Sequence, residues 1–191
     1  MATPLLTFGF WIFCILSSSL CFAQKIKNLK ELALESIHYL NRIRQAPNLY
    51  SDSVGIYLGA IEPTHILEID PVLMQIAEER ALDMVRHNYF GHTSPAGHTV
   101  NSLLCDKGFK IPKEFCQFRT INNFESICGG VQRGIECINI LLRDEGLNPP
   151  GHRIHLLGMD DFYKSHRRIG AALIYKKDSE YEYYFVIITT P

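Results

Sequence analysis

The sequence predicts an α+β fold, a sheet covered by helices, and three observations carry that prediction. Helical periodicity dominates the earlier part of the chain. Two β-type runs, residues 169–175 and 181–189, come last and are separated by a charged turn suited to a hairpin. The final run is apolar enough to be buried, so helices must pack against it. The 191 residues suggest one domain, and a hydrophobic fraction of 47% supplies a core. A net charge of −1 argues against nucleic acid or an anionic membrane surface as a partner. The one concentration of basic residues, Lys164, Arg167 and Arg168, reads as a solvated face.

Residues 1–23 are apolar and end in Cys21-Phe22-Ala23, which fits the small-x-small rule for export-signal cleavage. A secretory signal peptide over 1–23 and a single domain over 24–191 are therefore expected, with no stable membrane insertion after cleavage. The same run approaches the roughly 20 residues that span a bilayer, so a retained anchor is the alternative. Past residue 23 four cysteines remain: Cys105, Cys116, Cys128 and Cys137. An even number in an exported chain favours disulfides, and four cysteines allow three pairings. Pairing 105–116 with 128–137 closes two short loops, each worth roughly 3 kcal/mol in the chain-entropy model. Four buried thiols are the alternative.

The elements follow in order. Leu29, Ala33, Ile37 and Leu40 form one apolar stripe, giving a helix over 28–45 with Asn28 as its cap and Pro47 as its stop. A weakly patterned connector runs to Pro63. Asp70-Pro71 then opens the clearest helix, with Leu73, Ile76, Ala77, Ala81 and Met84 at helical spacing to about His87. A polar turn over 91–97 precedes a short helix capped by Thr99 and ended by Gly108. Residues 111–127 read as a loop entering a strand. Gly129-Gly130 turns the chain into a helix carrying Val131, Ile135, Ile138 and Leu142, and Pro149-Pro150-Gly151 breaks before His152.

Chemistry gathers on the polar turn. His92 stands there between two helices, and Glu125, the Asp144-Glu145 pair and His152 lie in later segments that folding would have to bring to it. No local metal motif such as H-E-x-x-H is present. His98 and His155 read as supporting or exposed residues, and His65 and His166 as loop surface.

In this order the pieces resemble the CAP superfamily of cysteine-rich secretory proteins, antigen five and pathogenesis-related class one proteins, and most of all its short bacterial secreted members. Leu40-Asn41-Arg42-Ile43-Arg44 looks like the family's N-x-x-R, and Leu73 to Met84 like its L-x-x-x-A-x-x-x-A-x-x-M helix. Phe90-Gly91-His92-Thr93-Ser94-Pro95-Ala96-Gly97 is similar to F-S-H-T-S-P-D-G. Phe124-Glu125-Ser126-Ile127 stands where the family has G-E-N-I, Gly151-His152-Arg153 looks like G-H-R, and Ile169-Gly170-Ala171-Ala172 like I-G-V-G. The resemblance implies an α-β-α sandwich of the CAP (SCP) type. Its cleft would be lined by His92, Glu125, Asp144 and His152, with Glu145 as the alternative to Asp144, and able to hold Zn²⁺ or another divalent cation. The chain departs from the pattern at Phe124, Ser126 and Ala96, and Leu141 stands in place of the family tryptophan.

Two functions are expected from this. One is a secreted, extracellular binding module that works without turnover, with a protein or lipid ligand; in a Gram-negative cell that retained it, the location would be periplasmic. The other is a metal-dependent, protease-like hydrolase in which an ion held by His92 and His152 activates water. Phe115, Phe118, Phe124, Tyr183, Tyr184 and Phe185 are the aromatics available to line a lipid pocket, or to fill the core.

Overall fold

The structure is a computed structural model that describes residues 25–117 and 121–191. The expected signal segment and Phe118 lie outside the described residues. Strand β1 (Lys27–Asn28) leads into helix α1 (Lys30–Gln45), a 3₁₀ turn (Pro47–Tyr50) and α2 (Ser51–Val54). Next come β2 (Glu68–Ile69), α3 (Pro71–His87), α4 (Val100–Asp106) and α5 (Lys113–Gln117). Then β3 (Glu125–Gly129), α6 (Gly134–Arg143), α7 (Gly151–Leu157) and α8 (Asp161–Lys164) precede the closing hairpin, β4 (Arg168–Tyr175) and β5 (Tyr183–Thr190).

The hairpin is the centre of a five-stranded sheet. Its strands pair antiparallel along their whole length, from Arg168 opposite Thr190 to Tyr175 opposite Tyr183. β3 lies antiparallel on the far side of β5, with Glu125 opposite Ile188, and is therefore an edge strand. On the other side of β4, β1 pairs antiparallel with its end and β2 parallel with its start.

Period-2 alternation divides the core into two layers. Ala171, Leu173, Phe185, Ile187 and Cys128 face α1, α6 and α7. Ala172, Ile174, Tyr184, Val186, Ile188 and Ile127 face α3 and α4. The result is the expected α-β-α sandwich. The aromatics divide accordingly: Phe124, Tyr184 and Phe185 are buried, while Phe115 and Tyr183 pack against the two layers from their edges.

Local chemistry sets the element ends. Asp70 Oδ1 accepts from the Val72 and Leu73 amides at 2.8 and 3.1 Å, Pro71 opens the first turn, and Asn88 ends α3 in the left-handed region at φ 49°. Thr99 and Ser102 form a reciprocal capping box on α4. Asn28 is not the cap expected of it. It pairs with Ile174 in β1, and α1 starts two residues later without a side-chain cap. Tertiary pairing overrides the local signal there. The stretch expected to be loop contains α5, which Cys116 ties to α4 through the expected bridge to Cys105, with Cα atoms 5.9 Å apart.

The second expected bridge is not formed. Cys128 and Cys137 are free, buried thiols in contact with each other across β3 and α6. Apolar packing already joins those two elements, and the cysteines sit in it as small apolar side chains.

Gly170 shows how closely α3 lies on the sheet. A Cβ built there would stand 2.2 Å from the Leu73 carbonyl carbon and 2.4 Å from the Met74 nitrogen, both backbone atoms. Gly170→Ala should therefore push α3 away from β4 and destabilise the fold by about 1–3 kcal/mol, read as a lower urea midpoint. An unchanged midpoint would mean that α3 does not lie this close.

Candidate functional site

The site grows from the edge strand. Alternation on β3 sends neighbouring residues to opposite faces, so Glu125 points toward α3 and the His92 turn while Ser126 points toward α7. Asn122 fixes the start of the strand: its side chain accepts from the Glu125 amide at 3.0 Å and donates to the Glu125 carbonyl at 2.7 Å.

The Glu125 carboxylate has no exposed surface and is held from two sides. Arg80 Nε donates to Oε1 at 2.9 Å, and His92 Nδ1 lies 2.9 Å from Oε2. Arg80 is itself buried. It also donates to the Tyr89 hydroxyl at 2.7 Å and to the Gly91 carbonyl at 2.9 Å, so one guanidinium ties α3, β3 and the His92 turn together. Burial is the largest single influence on the Arg80 pKa and works to lower it, but the charge and hydrogen bond of Glu125 together with Tyr89 outweigh it, and the net shift is upward. The turn supports itself as well. The Ser94 hydroxyl accepts from the His98 amide at 3.0 Å, and Ser94 and His98 are further joined through their backbones, so Ser94 serves the turn.

The second pair is built by two helix ends. α6 stops at Asp144, which adopts φ 53°. Its carboxylate is nearly fully buried. Oδ1 lies 2.7 Å from His152 Nδ1, and Oδ2 accepts from the His152 amide at 2.8 Å. Pro150 has no side chain able to cap α7, so Asp144 supplies that cap from the preceding helix, where negative charge also suits the dipole. Arg153 returns the interaction by donating to the Leu142 and Arg143 carbonyls at the end of α6. Glu145, the alternative acid, points to solvent and pairs with Arg143 at 3.1 Å. Asp144, not Glu145, is the carboxylate that engages His152.

The four expected side chains thus form two histidine–carboxylate pairs. Each carboxylate is engaged by an imidazole Nδ1, and among the described residues no three His, Cys, Asp or Glu side chains are grouped to hold one ion. A four-ligand cage is not what the donor set makes. What remains is an Nε2 on each half-exposed imidazole without a protein partner among the described residues, with the ring fixed from behind by a carboxylate. That is how metal-binding histidines are commonly oriented.

Two cavities flank the site. One, about 170 Å³, is bordered by Asn122, Glu125, Ser126, His152, His155 and Tyr163. The other, about 490 Å³, lies on the Asp144 side between Phe90, Cys128, Ile140, Leu147 and His152.

Sequence reasoning missed two parts of this arrangement. Arg80 occupies the apolar stripe of α3, between Ala77 and Ala81, and a charge in that register was the available signal. The other part is a buried chain of hydrogen bonds. Ser126 Oγ lies 2.7 Å from His155 Nδ1, His155 Nε2 lies 2.7 Å from Thr189 Oγ1, and His166 Nδ1 reaches the same hydroxyl at 2.6 Å. His155 is buried rather than exposed, and His166 is buried rather than at the surface: α7 lays His155 against Ser126 and Thr189 of the sheet, and the segment after α8 lays His166 against the same Thr189. His166 stacks on Phe124 at 5.6 Å, and its Nε2 has no partner.

Burial, followed by repulsion from His166, His152 and Arg44, holds His155 well below its ordinary pKa. Burial with Arg44 and Arg167 lowers His166 to about 3. Both are neutral in the folded protein near pH 7. Arg44, from the N-x-x-R segment, is also buried; desolvation lowers it to about 10, and it donates to the His65 and Leu156 carbonyls. Asn41 of the same segment makes two 2.9 Å bonds to the Leu67 backbone. The segment is a structural clasp.

No protein-family model and no curated protein matches the chain. Among solved structures it is similar to an outer surface protein from Borrelia burgdorferi, at 18% identity and a TM-score of 0.58, over 87% of this chain and 98% of that one. An extracellular protein containing an SCP domain from Bacillus anthracis str. Ames aligns at 16% identity with a TM-score of 0.48, over 83% of this chain and 41% of that one. The likeness to the outer surface protein is one of fold.

The two neutral histidines set a pH dependence. Their folded pKa values lie below the unfolded value near 6.5, so the unfolded chain takes up protons first as pH falls. The contribution of each is complete above about pH 6.5 and is lost as pH falls below it, for His166 toward about 3. Unfolding free energy should drop by up to about 1.4 kcal/mol per pH unit for each histidine below pH 6. His166→Gln should flatten the slope in urea titrations at pH 7, 6 and 5. An unaltered slope would mean that His166 does not sit buried and neutral.

Proposed function

We propose that the chain is an extracellular module of the SCP type that acts by binding at the His92–His152 cleft, without turnover. The observation that supports this most is the state of the two histidines. Each is pinned at Nδ1 by a buried carboxylate and offers only Nε2 outward, an arrangement made for holding a ligand in a fixed position. Among the described residues neither has a Ser or Cys as a hydrogen-bond partner that it could activate as a nucleophile. The Ser126 hydroxyl is bonded to a different imidazole, His155, inside the core.

A divalent cation such as Zn²⁺ belongs to this proposal. His92 Nε2 and His152 Nε2 would be its protein ligands, with water or the bound partner completing the shell. The extracellular placement is supported by the cleavage-like sequence before Gln24. It is also in keeping with the described part, where no helix is long and apolar enough to cross a membrane. The partner is a protein or a lipid.

Calorimetric titration with Zn²⁺ tests the reading. Wild type should bind, His92→Ala and His152→Ala should not, and Glu125→Gln or Asp144→Asn should weaken binding by roughly 10–100-fold. Absence of binding by wild type would remove the cation. Peptide hydrolysis that stops with chelator and with His92→Ala would overturn the non-catalytic reading in favour of a metal-dependent hydrolase.

A further inference from the structure

The dithiol between β3 and α6 is not used by the site described above. Its two sulfurs are in unequal positions. Cys137 has no exposed surface and lies within the helix–sheet layer formed with Ile138, Leu141 and Leu142, 4.0 Å from the Val131 carbonyl. Cys128 is a few per cent exposed and borders the cavity of about 490 Å³ beside His152 and Asp144. The two thiols are in contact with each other. Of the two cysteines, Cys128 borders that cavity and Cys137 does not; Cys137 lies behind Cys128 in the layer.

We propose that Cys128 is a modification site for low-molecular-weight disulfides and Cys137 the thiol that resolves it. The Cys128 thiolate attacks one sulfur of the incoming disulfide, forming a mixed disulfide and releasing one thiolate. The Cys137 sulfur then attacks Cys128, displaces the second thiolate and closes a Cys128–Cys137 bridge. The incoming disulfide is reduced to two thiols, which carry away the two protons that the cysteines lose. Reactivity belongs to the thiolate, and the shifts agree with the assignment of roles: the neighbouring Cys137 lowers Cys128 against the opposing effect of burial, whereas Cys137 is raised. The consequence falls on the cleft. β3 carries Glu125 and α6 ends at Asp144, so the bridge would fasten together the two elements that present the acids.

The test uses the purified protein, reduced, freed of reductant and incubated with oxidised glutathione, followed by peptide mapping. Wild type should lose the two thiol hydrogens of Cys128 and Cys137. Cys137→Ser should stop at a glutathione adduct on Cys128, and Cys128→Ser should leave Cys137 unmodified. Brief alkylation of native wild type with iodoacetamide needs no variant, and it should label Cys128 about tenfold or more faster than Cys137. Equal labelling of the two, or a glutathione adduct on Cys137 in Cys128→Ser, would overturn the assignment. So would failure of both thiols to react in the folded protein.

Discussion

The Glu125 carboxylate is completely buried, and Arg80 is the cation that makes its burial tolerable. Removing two charges from water costs several kcal/mol each, and the mutual attraction offsets this only where the geometry is good and the remaining donors are satisfied. Here they are: the guanidinium also reaches Tyr89 and the Gly91 carbonyl, and the second carboxylate oxygen meets His92. The pair is strong evidence of placement and weaker evidence of net stability. It fixes which residue of α3 faces β3 and how far the His92 turn stands from the sheet.

The edge position of β3 turns this constraint into a site. An interior strand would have both faces closed by helices and a neighbour on each side. At the edge, Glu125 can serve the α3 layer and Ser126 the α7 layer, and among the described residues no further strand pairs with the outer side of β3. The second histidine arrives by a different route. Asp144 ends one helix and caps the next, Arg153 caps the first in return, and His152 is carried into place by that clasp. The two histidines thus rest on two mechanically separate supports, an ion pair across a helix and a strand, and a junction between two helices.

Much of the fold was legible because its signals are local or periodic. The α3 pattern, the Asp70-Pro71 start, the Thr99 cap and the final hairpin all follow from spacing and turn chemistry. The ordered resemblance supplied His92, Glu125, Asp144 and His152. The less legible parts depend on long-range partners. Asn28 looks like a cap until β4 offers it a strand to pair with. His155 reads as supporting or exposed and His166 as loop surface, because nothing nearby in sequence shows that Thr189 will lie between them. Arg80 is intermediate: its register inside an apolar stripe marks it for burial, but its carboxylate is 45 residues away. The Cys128–Cys137 pairing shows the limit of loop-length reasoning, which brought the right thiols together and could not tell contact from bond.

The central claim is that the Arg80–Glu125 pair is buried and mutually dependent, and a double-mutant cycle in unfolding free energy tests it most directly. Arg80→Met and Glu125→Leu should each destabilise by about 3–5 kcal/mol, because each strands an uncompensated charge. The double variant should recover most of that loss, giving a large favourable coupling. Additive losses, with no recovery in the double variant, would contradict the account, since they would show two charges that do not depend on each other.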